Sequence, residues 1–475
     1  MSKFKIKLIV PPSFKQLEGD NVQYAEYLDY YSLPVYGMGV LISFLRQKDY
    51  YVDVQDFTAQ SERSAQESDL YLYDYTEFFT QILTTGRADQ KIETIVDKIF
   101  NPADYKGFGV VGFSLHHFGH FLFAILLARK IRDMSNIPIV FGGAFITIWG
   151  RLYPEVFDFI NYMIVGDGRQ PFLKLLNYFE NGAKAKATIP NLIYREGEKL
   201  IATEFIRYSF HDIPIPDFTD LDLNSCRESL GGELVLPYEP TRGCVYRCSF
   251  CIKNPMENGY QTKSYDRIIK ELREMKEKYD CERFQFCDHN IACSYQYLDG
   301  LVDVFITEGL EIKWRPFMDI RKVDKKLLKK MSQAGCEVIF YGIESGSDRM
   351  LEMIHKGQSS KQAAKVLRWT KEAGIKTLVA FMVGYPHEAE SDVIRTIKFI
   401  KRNRGYIDFA VVRYFGILDS NFMSKNPLEY GIRNLRRSLS RYMLEYDEVG
   451  GLSWEQKIIQ RKKTMRRIMQ VLWGK

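Results

Sequence analysis

Residues 239–254 read EPTRGCVYRCSFCIKN and hold three cysteines, Cys244, Cys248 and Cys251, in the spacing CxxxCxxC. A structural zinc site wants four ligands, usually as two separated pairs, and no companion CxxC follows. Iron–sulfur cubanes are held by cysteine thiolates, normally four. Three thiolates leave one iron open, which is useful when a substrate or cofactor must bind the cluster. Three core cysteines would be the bland alternative, since cysteine is often buried. Three within eight residues, beside Arg242, Arg247 and Lys253, fit a core strand poorly.

The surrounding sequence places this triplet in a barrel. "ELVLPY" (233–238) reads as a strand with the cysteine loop at its carboxyl end. The helix "SYDRIIKELREMKEKY" sets Ile268, Ile269, Leu272 and Met275 on one face. "RFQFC", "IKWRPFM", "EVIFYG", "KTLVAFMV" and "DFAVV" follow, each separated by a helical segment, and Gly335 and Gly374 stand where a helix hands over to a strand. Six strands and their helices predict a partial (β/α)6 barrel over 233–420. Active sites of parallel barrels lie at the carboxyl ends of the strands.

Upstream, residues 1–180 alternate strand and helix patterns, which calls for a doubly wound parallel sheet. "FKIKLIV", "YVDVQDF", "GFGVVGFS", "IPIVFGG" and "FINYMIVGDG" are its five strands. Ligands of such sheets sit at the carboxyl ends, which here carry "PPS" (11–13), Ser114 of "SLHH", Gly142 and Gly143 of "GGAF", and Gly166, Asp167 and Gly168 of "GDGR". The glycines let backbone approach a ligand closely. Residues 181–232, with the proline-rich "HDIPIPDF", read as a connector. Residues 421–475 read as a helical, basic C-terminal region, with Ile458, Ile459, Met465, Ile468, Met469 and Leu472 as its apolar stripe.

The bulk figures narrow the class. The chain has 475 residues, 46% of them hydrophobic, and a net charge of only +6. That charge does not call for a nucleic-acid partner. No run of about 18 apolar residues predicts a membrane span, and the start lacks a signal-peptide pattern, so a cytoplasmic protein is expected. The eight cysteines all lie between Cys226 and Cys336. In a reducing compartment a tight cysteine cluster points to metal or catalysis. The other barrel cysteines, Cys281, Cys287, Cys293 and Cys336, read as core, with Cys287 and Cys293 flanking the loop after strand two.

The triplet, with Phe250 before its third cysteine, resembles the radical S-adenosylmethionine (SAM) enzymes. The resemblance runs over about 233–420. It implies a [4Fe-4S] cluster held by Cys244, Cys248 and Cys251, with SAM chelating the open iron. One electron then cleaves SAM to methionine and a 5'-deoxyadenosyl radical that abstracts a substrate hydrogen. "FYGIESGSDRMLEMIHKG" resembles the family's fourth-strand segment and carries over Glu344 and Ser345 as SAM contacts. "FMVGYPHE" resembles its G-x-P-x-E segment, with Gly384 and Glu388. Arg321 matches an arginine common in one subgroup, and Asp288 of "FCDHN" stands where that subgroup has two acidic residues.

A doubly wound domain before such a barrel resembles the cobalamin-binding radical SAM enzymes. Three cofactors are therefore implied: the cluster, SAM and cobalamin. "SLHHFG" lacks the aspartate of the usual cobalt-histidine motif, so cobalt without a protein histidine is expected. The G-x-G-x-x-G dinucleotide fingerprint is absent after strand one. The resemblance implies C-methylation of an unactivated carbon, with cyclisation or rearrangement on the same cofactors as the alternative within enzymes, and a non-catalytic cobalamin or iron–sulfur sensor as the alternative outside them. It also implies a reductant protein such as flavodoxin or ferredoxin. The substrate (peptide, lipid or small metabolite) has no signature in the sequence.

Overall fold

The computed structural model describes residues 4–12, 33–58, 75–182, 186–251, 259–419, 421–437 and 443–474. Lys253 and Ser13 lie outside them. The chain folds as two compact units, Met1–Glu233 and Leu234–Lys475.

The first unit is built on a seven-stranded sheet of order β2-β1-β3-β4-β5-β6-β7. Its strands are β1 Lys5–Val10, β2 Tyr51–Asp56, β3 Val110–Ser114, β4 Ile139–Gly142, β5 Tyr162–Ile164, β6 Leu192–Glu196 and β7 Lys199–Ala202. The first five pair in parallel. Helices α1 Tyr36–Arg46, α2 Tyr75–Thr85, α3 Gln90–Ile99, α4 Phe118–Met134, α5 Ala144–Trp149 and α6 Arg169–Asn181 connect them, and α7 Leu223–Ser229 closes the unit. Strands covered on both faces read as continuous apolar runs, and Ile6, Leu8, Ile9 and Val10 are all buried. The exception, Lys7, is buried because its Nζ reaches Asp53 Oδ2 on β2 at 2.6 Å.

The doubly wound sheet is as expected, but the segment read as a connector is not wholly one. β6 and β7 lie within 181–232 and extend the sheet antiparallel to β5. They are short, and their turn residues Gly197 and Glu198 lie within a polar stretch, which hides them from a pattern search. The sheet reverses direction of winding between β1 and β3, the place where doubly wound sheets leave a crevice.

The second unit has six parallel strands in the order β8, β11, β12/β13, β14, β15, β16. These are β8 Val235–Tyr238, β11 Arg283–Phe286, β12 Lys313–Arg315 with β13 Phe317–Met318, β14 Val338–Glu344, β15 Lys376–Val383 and β16 Phe409–Tyr414. Pro316, which has no N–H to give a ladder, splits β12 from β13. Among the described residues nothing pairs β16 with β8, so the barrel is partial. A two-rung ladder, β9 Thr241–Arg242 with β10 Gln261–Thr262, stands at the carboxyl end of β8. Helices α8 Tyr265–Tyr279, α9 Tyr295–Thr307, α10 Lys325–Gln333, α11 Asp348–Met353, α12 Ser360–Glu372 and α13 Glu390–Asn403 lie between the strands. The four apolar residues read onto one face of α8 are all buried.

The C-terminal region is not helical throughout. After the short α14, Phe422–Lys425, the antiparallel pair β17 Ile432–Arg437 and β18 Leu444–Glu448 precedes α15, Trp454–Trp473. The stripe on α15 also differs from expectation. Ile459 is 70% exposed, while Lys457 is buried. Lys457 shares a face with Thr464, Met465, Ile468 and Leu472, all buried, whereas Ile459 is turned about 200° away from Lys457. Lys457 is tolerated there because its Nζ meets Glu448 Oε1 at 2.6 Å and the Tyr385 carbonyl at 2.8 Å.

Removing one member of a buried ion pair leaves the other uncompensated, at a cost of about 3–5 kcal/mol. Lys457→Met should therefore lower unfolding stability by about that amount in a denaturant titration. Ile459→Ser, on the opposite face of the same helix, should change it little.

Candidate functional site

In the second unit the cysteine loop is closed at its base by the β9–β10 ladder. Gly243 follows with φ 93°, and a Cβ there would run into the Gly259 carbonyl, so the two limbs meet only because residue 243 is glycine. Thr241 Oγ1 donates to Asp288 Oδ2 at 2.7 Å, which ties the loop's start to the end of β11. Farther along, the Ser249 N–H donates to the Ile354 carbonyl (3.1 Å) and its hydroxyl shares a hydrogen bond with Tyr385 (2.8 Å). Phe250 packs against the cluster formed by Met350, Leu351, Ile354 and Tyr385. The loop is thus pinned on both sides of Cys248.

None of the three cysteines is in a disulfide; Cys248 is buried, and Cys244 and Cys251 are half-buried. Among the described residues no three His, Cys, Asp or Glu side chains converge as a single metal ion requires. A cubane does not ask for that, because its thiolates bind different irons and stay apart. Burial pushes the Cys248 thiol up, against the pull of Lys356 and Arg321. The neighbouring Cys293 thiol holds Cys244 down to about 7, against burial. The donor set, three thiols on one loop with the cations Lys356 and Arg321 acting on Cys248, fits an anionic iron–sulfur cluster.

Under this loop lies a buried charge network. Asp319, just beyond β13, takes Arg321 through two bonds, Nε to Oδ1 at 2.7 Å and Nη2 to Oδ2 at 2.8 Å. Lys356 Nζ stands 3.8 Å from Asp319 and 3.5 Å from Glu344 Oε1. The Arg321 guanidinium lies 3.1 Å from the centroid of the Tyr246 ring, and Lys356 lies 5.8 Å from that of Phe250. Glu344 ends β14 at a register shift and has φ 66°. A bulge re-aims a side chain, and a non-glycine residue in this region costs of order 1–3 kcal/mol, a strain that clusters at functional sites. Burial raises the Glu344 carboxyl, and Lys356 opposes that rise.

The expected residues therefore divide. Cys244, Cys248, Cys251, Phe250, Arg321 and Glu344 come together around the loop. Asp288 lies beneath it, fully buried, with burial raising its carboxyl to about 8. Ser345, Gly384 and Glu388 are taken up by the framework. Ser345 Oγ bonds Thr396 Oγ1 at 3.1 Å and accepts the Ser347 N–H at 3.1 Å. Glu388 Oε2 accepts the Gly384 N–H at 2.8 Å, closing the G-x-P-x-E turn on itself. The sequence reading missed Asp319, Lys356 and Tyr246. Lys356 was inside the quoted fourth-strand segment, in "HKG", but a single lysine there carries no signal without its partners.

In the first unit, Ser114, Gly142, Gly143, Gly166, Asp167 and Gly168 all lie at the carboxyl edge of the parallel sheet. Two glycines have reasons within the chain. Gly143 has φ 97°, and its Cβ would stand 2.5 Å from the Leu115 carbonyl oxygen. Gly166 has φ 78° and lies against Phe205. Gly142 and Gly168 have none: their φ values are negative, and a Cβ would meet nothing closer than 3.9 Å at Gly142 and nothing within 4 Å at Gly168. Gly168 leaves open space at the edge, and Gly142 leaves room for at most ordinary contact with the Ile164 and Phe113 carbonyls, a fit for a ligand approaching the backbone. Asp167 is turned instead to Arg169, with Nη2 to Oδ2 at 2.7 Å, and Arg169 continues to the Ser209 and Asp212 carbonyls. His117 and His120 pack with their rings tilted and centroids 3.9 Å apart, and burial holds both well below the usual histidine range.

Residues 238–400 match the model of the Radical SAM superfamily. An uncharacterized methyltransferase of Pyrococcus horikoshii is 27% identical over 292 residues, 60% of this chain and 62% of that protein. An anaerobic magnesium-protoporphyrin IX monomethyl ester cyclase of Cereibacter sphaeroides is 23% identical over 275 residues, 56% of this chain and 44% of that one. The match thus spans less than two thirds of the length of either relative. Among solved structures, the cobalamin-dependent S-adenosylmethionine radical enzyme OxsB with aqua-cobalamin bound superposes with a TM-score of 0.66 at 14% identity, over 94% of this chain and 65% of that one. No helix among the described residues is long and apolar enough to cross a membrane.

Anaerobically prepared protein should contain about four irons in one cubane, by the thiolate-ligation argument. Replacing Cys244, Cys248 and Cys251 together with Ala should abolish both the iron and its visible charge-transfer absorbance. Iron retained by the triple variant at the wild-type level would show that the cluster is held elsewhere.

Proposed function

Because residues 238–400 are a radical SAM domain, and a doubly wound sheet precedes it as expected, we propose that this protein is a cobalamin-dependent radical SAM enzyme that methylates an unactivated carbon. The observation that carries the reading is the pairing of two folds in one chain, a parallel sheet of order β2-β1-β3-β4-β5 and a partial barrel bearing an open-iron cysteine triplet. The likeness to OxsB, over 94% of this chain, supports that pairing. The methyltransferase relative favours methylation over the cyclase chemistry of the second relative by identity alone, 27% against 23%.

When bound, the cluster and SAM supply a radical that removes a substrate hydrogen, and cobalamin carries the methyl group. The chain's own residues do the rest, mainly by positioning. Cys244, Cys248 and Cys251 hold the cluster. Lys356 and Arg321 would offer positive charge to an anionic group such as the carboxylate of SAM, and Glu344, aimed by its bulge, would offer an acceptor for a hydroxyl or ammonium group. Phe250 and Tyr246 keep water from the loop's inner side. In the first unit Gly142 and Gly168 leave the room a corrin needs, beside Ser114, while Asp167 keeps its turn in shape through Arg169. The electron comes from a reductant protein of the flavodoxin or ferredoxin type.

Filling the open edge should weaken cobalamin binding without touching the cluster. Gly142→Val and Gly168→Val should each lower cobalamin retained on purification by at least tenfold, with iron content unchanged. Cobalamin retained in full by both would remove these glycines from the site.

Methylation spends two SAM molecules in different ways, one as radical source and one as methyl donor. With SAM labelled at its methyl group, the label should appear on product carbon, and S-adenosylhomocysteine and 5'-deoxyadenosine should form in comparable amounts. Turnover giving 5'-deoxyadenosine and an unlabelled product would assign a cyclisation or rearrangement. Binding of both cofactors with no SAM cleavage under strong reductant would assign a sensor.

A further inference from the structure

The hairpin β6–β7 returns the chain to the carboxyl edge of the first unit's sheet. β5 runs toward that edge, β6 is antiparallel to β5, and β7 is antiparallel to β6. Residues after Ala202 therefore emerge beside the turn that holds Gly166 and Gly168. Two buried side chains fix them there. Asn191 is fully buried and has φ 61°, a conformation that asparagine takes more readily than most residues. It donates from Nδ2 to the Ile206 carbonyl at 2.9 Å, accepts the Ile206 N–H on Oδ1 at 2.5 Å, and gives its own N–H to the Glu204 carbonyl at 2.8 Å. Arg169, paired with Asp167, donates to the Ser209 carbonyl at 3.1 Å and the Asp212 carbonyl at 2.6 Å. Between these two clamps stands Phe205, whose side chain is not turned into the core: the residue is 39% exposed. Its ring lies on the glycine turn. A Cβ at Gly166 would stand 3.0 Å from Phe205 Cε2 and 3.3 Å from Asn191 Nδ2, so glycine at 166 is what lets this segment settle there. The Arg207 guanidinium lies 5.6 Å from the ring centroid. Two residues along the same turn, Gly168 faces open space.

Resting on the reading that cobalamin binds at this edge, we propose that Phe205 is a cobalamin-binding residue, an aromatic wall beside the glycine turn, and that Asn191 is the positioning residue that presents it. A single exposed apolar side chain is ordinary. This one differs in being carried by a segment that two buried polar side chains hold by its backbone, at the edge where the sheet takes its ligand. A corrin is a wide macrocycle with methyl groups along its rim, and an aromatic ring gains by being covered with such a surface. Because the backbone on either side of Phe205 is already fixed, little ordering is left to be done when the ligand arrives. The hairpin that follows the parallel strands thus has a task in binding, since it delivers both Asn191 and Phe205 to the turn after β5.

The test is an equilibrium dialysis of hydroxocobalamin against full-length protein prepared without cobalamin, read by absorbance, alongside melting temperature with and without the ligand. Phe205→Ala should bind about tenfold more weakly, the order expected when a large apolar side chain is no longer there to be covered. It should melt near the wild type without cobalamin and gain less from adding it. Phe205→Tyr keeps the ring and should recover most of the affinity. Tyr51→Ala removes a side chain 58% exposed at the amino end of β2 and should bind as the wild type does. Asn191→Gly keeps the backbone conformation and deletes the clamp. It should weaken binding when Phe205 is present and add little to Phe205→Ala, a coupling that a general loss of structure would not give. Should Phe205→Ala fail to fold, Phe205→Leu takes its place, with a smaller loss expected. Wild-type affinity in the variant read would overturn the proposal alone. So would a loss that Phe205→Tyr does not restore. Wild-type protein that binds no hydroxocobalamin would remove the underlying reading, and the proposal with it.

Discussion

The second unit's site depends on the Asp319 carboxylate. It stands at the end of the third barrel strand, almost fully buried, and it neutralises two cations at once, Arg321 through a bidentate bond and Lys356 at longer range. Its backbone N–H fastens Asn290 from the neighbouring strand end. Without it, Arg321 would lose its carboxylate partner and Lys356 would keep only Glu344, and an unpaired buried ion is far more costly than a paired one. Three strand ends are thereby held in one arrangement. Tyr246 and Phe250 of the cysteine loop lie on the two cations that Asp319 positions.

The cysteine loop has no regular structure of its own, so its backbone groups must find partners elsewhere. It finds them at Ile354, through the Ser249 N–H, and at Tyr385, through the Ser249 hydroxyl. The turn Gly384–Glu388 is closed by its own glutamate and supports Tyr385 from behind. The hairpin β17–β18 and helix α15 continue this support, since Lys457 bonds the Tyr385 carbonyl while pairing with Glu448. The C-terminal helix, whose apolar stripe reads as a packing face in the sequence, is part of the scaffold behind the cysteine loop.

The first unit works by the opposite means. Its edge offers space rather than charge, with Gly142 and Gly168 lacking both side chains and any conformational need to be glycine. Its polar groups are mostly spent within the fold, Asp167 on Arg169 and Gly166 N–H on Thr147 Oγ1 at 2.9 Å. A ligand held there would be held by shape and backbone.

Periodicity and punctuation were enough, by themselves, to determine the five parallel strands, the six barrel strands, the helix faces and the loop that carries the three thiols, because each is a local pattern of apolar spacing, proline, glycine or cysteine. β6 and β7 escaped because short antiparallel strands with polar turns have no strong period. Burial of Lys457 and exposure of Ile459 escaped because the choice between them depends on where Glu448, nine residues upstream at the end of β18, places its carboxylate. The same holds at the site. Cys244, Cys248 and Cys251 announce themselves by spacing, whereas Asp319 and Lys356 are ordinary residues beyond separate strand ends. Only the tertiary structure decided their roles, since a charge or a donor acquires meaning from what lies a few ångströms away, and those neighbours are distant in the chain.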